Sequence, residues 1–142
     1  MADDPSSIAE LATHECLALL RTASVGRLAV SRPTHPEVFP VNFVVDHGAV
    51  IFRTAVGTKL DAISQEHDVT FEADGYDATS GEAWSVVVKG QASEVAGVHD
   101  LVAAVDLPLF PWHAAPKQRI VRILPEEITG RRFHVAPGSS PG

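Results

Sequence analysis

Between Val38 and Leu60 the chain follows a pattern that few folds can accommodate. Val38 to Val45 is apolar and β-branched, Asp46-His47-Gly48 interrupts it, and Val50 to Thr54 answers with a second arm. Branched side chains favour a pleated strand. A glycine free to take positive φ closes two such arms into a hairpin. Just beyond the second arm, Gly57-Thr58-Lys59 opens a helical stretch. The start of a helix presents unpaired N–H groups and the positive end of a dipole, so it favours an anion. Arg53, Thr54, Thr58 and Lys59 are expected to converge there on a phosphate. The segment thus implies a β-rich domain that holds a phosphate-bearing cofactor.

The background against which Arg53 and Lys59 stand is acidic. The 142 residues carry a formal net charge of −7, with three lysines and eight arginines. Nucleic-acid affinity comes largely from clustered Lys and Arg displacing counterions, so nucleic acid is excluded as the main partner. Hydrophobic residues at 45% and charged residues at 20% describe an ordinary globular balance, and the length suits one domain with one core. No apolar run is long enough to span a bilayer, and the first residues lack the order of a secretory signal. A single cysteine, Cys16, cannot form an internal disulfide, which points to a reducing compartment and so to the cytoplasm.

Along the chain, residues 1–6 and 135–142 read as loose ends around one domain. Ser7 with Glu10, and Thr13 with Glu15, offer two helix starts. Leu11, Cys16, Leu17, Leu19 and Leu20 give the following helix an apolar face, with Cys16 as packing rather than as a nucleophile. Val25 to Ser31 reads as a strand. Val69, Phe71 and Ala73 alternate with polar residues in another, ended by a loop from Asp74 to Gly81. Ala83 to Val95 is a long strand, apolar on both faces around Val86 to Val88, and Gly90 within it predicts a bulge or sharp bend. A short helix is expected at 98–105 and a proline-rich loop at 107–112. Arg119 to Leu124 and Ile128 to Val135 read as two further strands. Evenly spaced strands with two or three short helices suggest a small antiparallel barrel.

Several catalytic signatures are missing. Gly57-Thr58-Lys59 does not fit a Walker loop, no GxGxxG follows a strand, and no GxSxG marks a serine hydrolase. The seven histidines lie apart without metal-binding spacing, so no metal site is assigned. Trp84 and Trp112 are the two large aromatic surfaces that a planar ligand could use.

Taken in order, the residues resemble a known family over about Ala12 to Phe133. The blocks are Glu15-Cys16-Leu17-Ala18-Leu19-Leu20, Gly26-Arg27-Leu28-Ala29-Val30, Phe39-Pro40-Val41-Asn42-Phe43, Ile51-Phe52-Arg53-Thr54 and Gly57-Thr58-Lys59-Leu60. Later come Phe71-Glu72-Ala73-Asp74, Trp84-Ser85-Val86-Val87-Val88-Lys89-Gly90, and Val121-Arg122-Ile123-Leu124-Pro125 with Ile128-Thr129-Gly130-Arg131-Arg132. Together they resemble the pyridoxamine 5′-phosphate oxidase-like, flavin-binding split-barrel proteins, in particular the branch with nitroimidazole-resistance proteins.

The resemblance implies a mainly β fold with short helices, a six-stranded antiparallel split β-barrel. It also implies a homodimer with a flavin in each of two clefts between subunits. Arg53, Thr54 and Lys59 match phosphate-holding positions. Phe39, Pro40, Val41 and Asn42 match the strand along the isoalloxazine ring, and Trp84 and Trp112 match regions that approach the cleft. The arginine and histidine set and the C-terminal segment with which true pyridoxamine-phosphate oxidases bind their substrate have no counterpart, so that oxidation is not implied. FMN is the expected cofactor, because its one terminal phosphate suits one cationic cluster; a deazaflavin with an acidic tail is the second candidate. The expected reaction is hydride or two-electron transfer between flavin and a small organic substrate, with no catalytic residue assigned and water, Tyr76 or a histidine as the proton source. A non-catalytic flavin module, and a haem-binding barrel using a histidine such as His113, are the alternatives.

Overall fold

The computed structural model describes residues 8–95 and 118–135. The helix expected at 98–105, the loop at 107–112, Trp112 and His113 lie outside those residues. Within them the elements run β1 (Ile8–Glu10), α1 (Thr13–Leu20), β2 (Val25–Val30), β3 (Glu37–Asp46), β4 (Ala49–Ala55), α2 (Thr58–Gln65), β5 (Asp68–Tyr76), β6 (Glu82–Glu94) and β7 (Gln118–His134). Every pairing is antiparallel, and the order β7-β4-β3-β2-β5-β6 returns to β7, closing a six-stranded barrel. β1 adds an extra strand outside the closed ring, on the second half of β7.

The hairpin expected from the sequence forms as β3 and β4. His47 and Gly48 alone connect them, with φ of 50° and 76°. Two positive values in succession suit a tight turn that follows the right-handed twist of the strands, and Gly48 adopts its value without a Cβ penalty. Period-two alternation then sends Leu28, Val30, Val41, Phe43, Phe52, Phe71, Val86, Val88, Val121 and Ile123 into one buried cluster. Phe43 and Phe71 meet edge to face in it, with ring centroids 4.8 Å apart. α1 contributes Cys16 and Leu20 to the same core, and α2 contributes Ala62 and Ile63.

Three expectations are corrected. The strands read at Arg119–Leu124 and Ile128–Val135 are one strand of 17 residues, β7. Pro125 does not break it because β7 bulges there: Gly90 pairs with Pro125 and Lys89 with Glu127, leaving Glu126 as the extra residue. A Cβ on Gly90 would come within 2.2 Å of the Leu124 carbonyl oxygen, so the bulge needs the glycine. Second, the helix start read at Ser7 fails, since Ile8–Glu10 pair with Arg131–Phe133 as β1. The second start holds, and the Ala12 N–H donates to the Glu15 carboxylate at 3.0 Å. Third, the loop read from Asp74 begins later, because β5 continues to Tyr76.

Candidate functional site

β3 and β4 are partners only from Phe43 to Asp46. Beyond that point β4 continues beside β7, while Glu37 to Asn42 of β3 stay paired with β2 alone. The barrel therefore parts between the two arms of its own hairpin, and among the described residues no strand pairs with that side of residues 39–41. The start of α2 lies at the parting. Lys59, in the first turn of α2, places its ammonium 5.8 Å from the centre of the Phe39 ring, a cation–π distance. Partial burial pushes the Lys59 pKa down, and no carboxylate among the described residues pairs with it.

Arg53 stands on β4 opposite Ile120 of β7. Its neighbours Phe52 and Thr54 are buried on the inner face, so Arg53 leaves the barrel on the outer one. There it borders a second apolar cluster made by Ile51, Val95 and Ile120, with Val44 packed against it. The Nε atom of Arg53 is sealed from solvent, and no partner among the described residues accepts its hydrogen. A buried donor without an acceptor is costly. An anion at this place would remove the deficit.

The remaining expected residues divide between the two faces. Val41 is buried in the core, Phe39 is packed against it, and Pro40 and Asn42 belong to the outer face of β3. Thr54 is buried, and its hydroxyl donates to the Ala55 carbonyl at 3.3 Å. It leaves β4 on the side opposite to Arg53. Thr58 is exposed at the first position of α2, whose N-cap is Gly57 and whose first turn no side chain caps. Asp61, exposed in the same turn, tempers the positive end. The structure thus sets Lys59 over Phe39 beside the parting, with Thr58 in the same first turn of α2 and Arg53 on β4, the strand that precedes it.

Trp84 is elsewhere. It pairs with Gly75 and with Arg132, near the end of β7 remote from Ile120. Its indole occupies the space over Gly75, where a Cβ would come within 2.4 Å of Nε1. With Tyr76, Asp77, Glu82 and Arg132 it lines an open hollow of about 380 Å³. Within one chain Trp84 and Arg53 do not share a cleft.

One group near the parting escapes sequence reading. Arg27 of β2 faces Pro40 on one side and Glu72 on the other. Its Nη1 donates to Glu72 at 3.2 Å and to Asp74 at 3.1 Å. Burial, and then the hydrogen bond and charge of Asp74, push the Glu72 carboxyl up to about 7 against the opposing pull of Arg27. Only strand register places these three together, across a sequence separation of 45 or more residues. Cys16 is packing, as expected: it is fully buried, and burial pushes its thiol pKa up. No helix among the described residues is long and apolar enough to cross a membrane.

Comparison with known proteins agrees with this geometry. The model of the family described as pyridoxamine 5′-phosphate oxidase matches residues 12–132. An uncharacterised Mycobacterium tuberculosis protein, Rv0080, is 36% identical over 139 residues, covering 94% of this chain and 90% of its own. A solved Corynebacterium glutamicum structure that carries the same family name is 40% identical with a TM-score of 0.82, covering 96% of this chain and 99% of that one. The structure of an FAD binding protein from Mycobacterium smegmatis is also 40% identical, with a TM-score of 0.79, and covers 90% of this chain and 100% of its own.

Proposed function

We propose that this chain, which belongs to the pyridoxamine 5′-phosphate oxidase family, is a flavin-dependent oxidoreductase that binds its cofactor at the parting between β3 and β4. The observation that carries the reading is the sealed Nε of Arg53, without a partner among the described residues, together with the uncapped start of α2 and with Lys59, which no described carboxylate meets. An arginine fork and an ammonium are the groups that hold a phosphate by charge-assisted hydrogen bonds. The name of the Mycobacterium smegmatis relative, which binds FAD, supports the flavin class. The single terminal phosphate of FMN also suits this cluster.

In this reading Arg53, Lys59 and the leading N–H groups of α2 hold the phosphate. The side of Phe39–Val41 that no described strand covers lies along the ring, with Asn42 next to it. Bound flavin supplies hydride or two-electron transfer, and the protein supplies position and electrostatics. Lys59 is steered by the face of Phe39, which fixes its ammonium without neutralising it. Glu72 holds a proton up to about pH 7, one strand away from Pro40. This makes it the described carboxyl best suited to serve as a proton reservoir near the ring. The substrate is a small organic molecule.

The site is completed by a second copy of the chain. Val25 and Val38 are large apolar side chains exposed on the outer surface of β2 and β3, and an isologous two-fold pairing would cover them. Such a dimer would bring a partner's Trp84 towards the parting, which it does not reach within one chain. The reading places the protein in the cytoplasm, in keeping with its one buried thiol.

The test is titration of the purified full chain with FMN, FAD and a deazaflavin, followed by flavin fluorescence, with light scattering on the same samples. A bound flavin and a mass near twice 15.1 kDa are expected. A chain that ignores every flavin overturns the cofactor reading, and a clean monomer overturns the shared cleft. Stopped-flow reduction of the loaded protein by nicotinamides, then oxidation by quinone- or nitro-type acceptors, tests turnover.

A further inference from the structure

Arg122 has no role in the site so far. It lies on β7 opposite Ile51 of β4 and Ser93 of β6. Ile51 belongs to the outer apolar cluster, so Arg122 also leaves the barrel on the outer face. Ile120, two positions before it, is the partner of Arg53. Arg53 and Arg122 are therefore diagonal neighbours across one antiparallel pair, roughly 7–8 Å apart and within reach of each other's long side chains. Both are partly buried.

Their charge state sets them apart. Arg27, Arg32, Lys89, Arg119 and Arg132 each have a carboxylate partner. Arg53 and Arg122 have none among the described residues. Arg21 and Arg131 also lack one, but both stand exposed to water. Two arginines on neighbouring outward positions thus stand without a carboxylate among the described residues beside Ile51, Val95 and Ile120, whose apolar bulk weakens screening. One phosphate would satisfy one fork. Two forks side by side match two linked phosphates.

We propose that Arg122 and Arg53 form a two-guanidinium clamp for a diphosphate, so that the site selects a flavin dinucleotide over the mononucleotide. The clamp rests on the flavin reading above and sharpens it. Lys59 and the start of α2 take the phosphate nearer the ring, Arg53 bridges the two, and Arg122 takes the outer one. Its ligand class is a nucleoside diphosphate ester, and its specificity comes from the two guanidinium forks rather than from contact with the adenine.

The experiment uses the full chain as wild type, Arg122→Gln and Arg122→Lys, each titrated with FMN and with FAD. Thermal unfolding is followed in parallel with phosphate or pyrophosphate as the only added anion. Wild type is expected to bind FAD about tenfold more tightly than FMN, the scale of one charge-assisted hydrogen bond. Arg122→Gln should lose that preference by weakening FAD alone. Arg122→Lys, which keeps the charge without the fork, should recover part of it. Pyrophosphate should raise the melting temperature of wild type more than phosphate does, and the difference should vanish in Arg122→Gln. Equal weakening of FMN and FAD, or no change in either, overturns the clamp. If Arg122→Gln melts well below wild type without ligand, Arg122→Lys decides: a lysine variant with the wild-type fold and a reduced FAD preference supports the clamp, and one with an unchanged preference overturns it. If wild type binds neither flavin, the flavin reading falls. A pyrophosphate preference that depends on Arg122 would then still sustain the clamp, and its absence would remove both.

Discussion

Two patches on the outside of the barrel are built from the same residue type and reach opposite electrostatic ends. On β2 and β5, Arg27 gives its hydrogens to Glu72 and Asp74. The patch is closed on itself, and burial, then the hydrogen bond and charge of Asp74, push Glu72 up to about 7 against the pull of Arg27. On β4, Arg53 keeps a sealed nitrogen without an acceptor among the described residues, and in α2 Lys59 lies over an aromatic ring instead of a described carboxylate. A paired arginine contributes modestly to stability and has little left to offer a ligand. An unpaired one weakens the free protein slightly and is available to bind. The contrast teaches that the cations without a partner among the described residues, rather than the cations as such, are the ones left to serve the proposed anion site.

Breaking the contrast should give its largest effect at Arg53. Arg53→Ala should weaken flavin binding by about 10- to 100-fold, the range of a lost hydrogen bond to a charged group. Arg27→Ala should leave it within about twofold, because its hydrogens are already committed. Fluorescence titration of the two variants side by side checks this, and equal losses would erase the distinction. Lys59→Ala comes next, with about a tenfold loss that shrinks as ionic strength rises, since the ammonium acts as a point charge.

Without ligand the order should invert. Arg27→Ala should cost up to about 1 kcal/mol in urea unfolding, whereas Arg53→Met should stay within about 0.5 kcal/mol of wild type. A large loss in Arg53→Met would mean that the guanidinium is held by something within the free protein. The smallest effect concerns pH. Glu72 keeps its proton to about 7 in the folded chain, against 4.5 as its ordinary value. Between those values the folded state binds more protons than the unfolded state, so this group makes stability fall as pH rises from 4.5 to 7 and adds nothing further above. Solvent screening keeps the change below about 1 kcal/mol. Melting curves at pH 5 and pH 8 should therefore show a smaller decline in Glu72→Gln than in wild type, and equal declines would remove Glu72 as the source.

Much of the fold was legible because its signals are local. The Asp46-His47-Gly48 turn, the alternation of Val69, Phe71 and Ala73, and the bend at Gly90 each follow from a few adjacent residues. That Arg53 and Lys59 flank one short connection, at the end of β4 and the start of α2, was legible for the same reason. Pro125 was misread as a strand end, because a bulge that tolerates proline is fixed by Gly90, far away in sequence. Ile8–Glu10 was misread as a helix start, because a strand so short is decided by its partner rather than by its own residues. The alignments of Arg27 with Glu72, and of Arg53 with Arg122, depend on pairing register, which composition and periodicity do not reveal.

The length of β7 also bears on how the molecule comes into being. One strand seals β4 along its first part and β6 along nearly all of its length, and it carries β1 on its other side. A ribosome makes it after every one of those partners. Until it emerges, β4 and β6 each keep an open edge, and the sheet stays a trough that can recruit foreign strands. Closure must then join segments far apart in sequence, the slow class of contact. Folding of this barrel should accordingly be late and all at once, with chaperone demand concentrated in the interval before β7 docks.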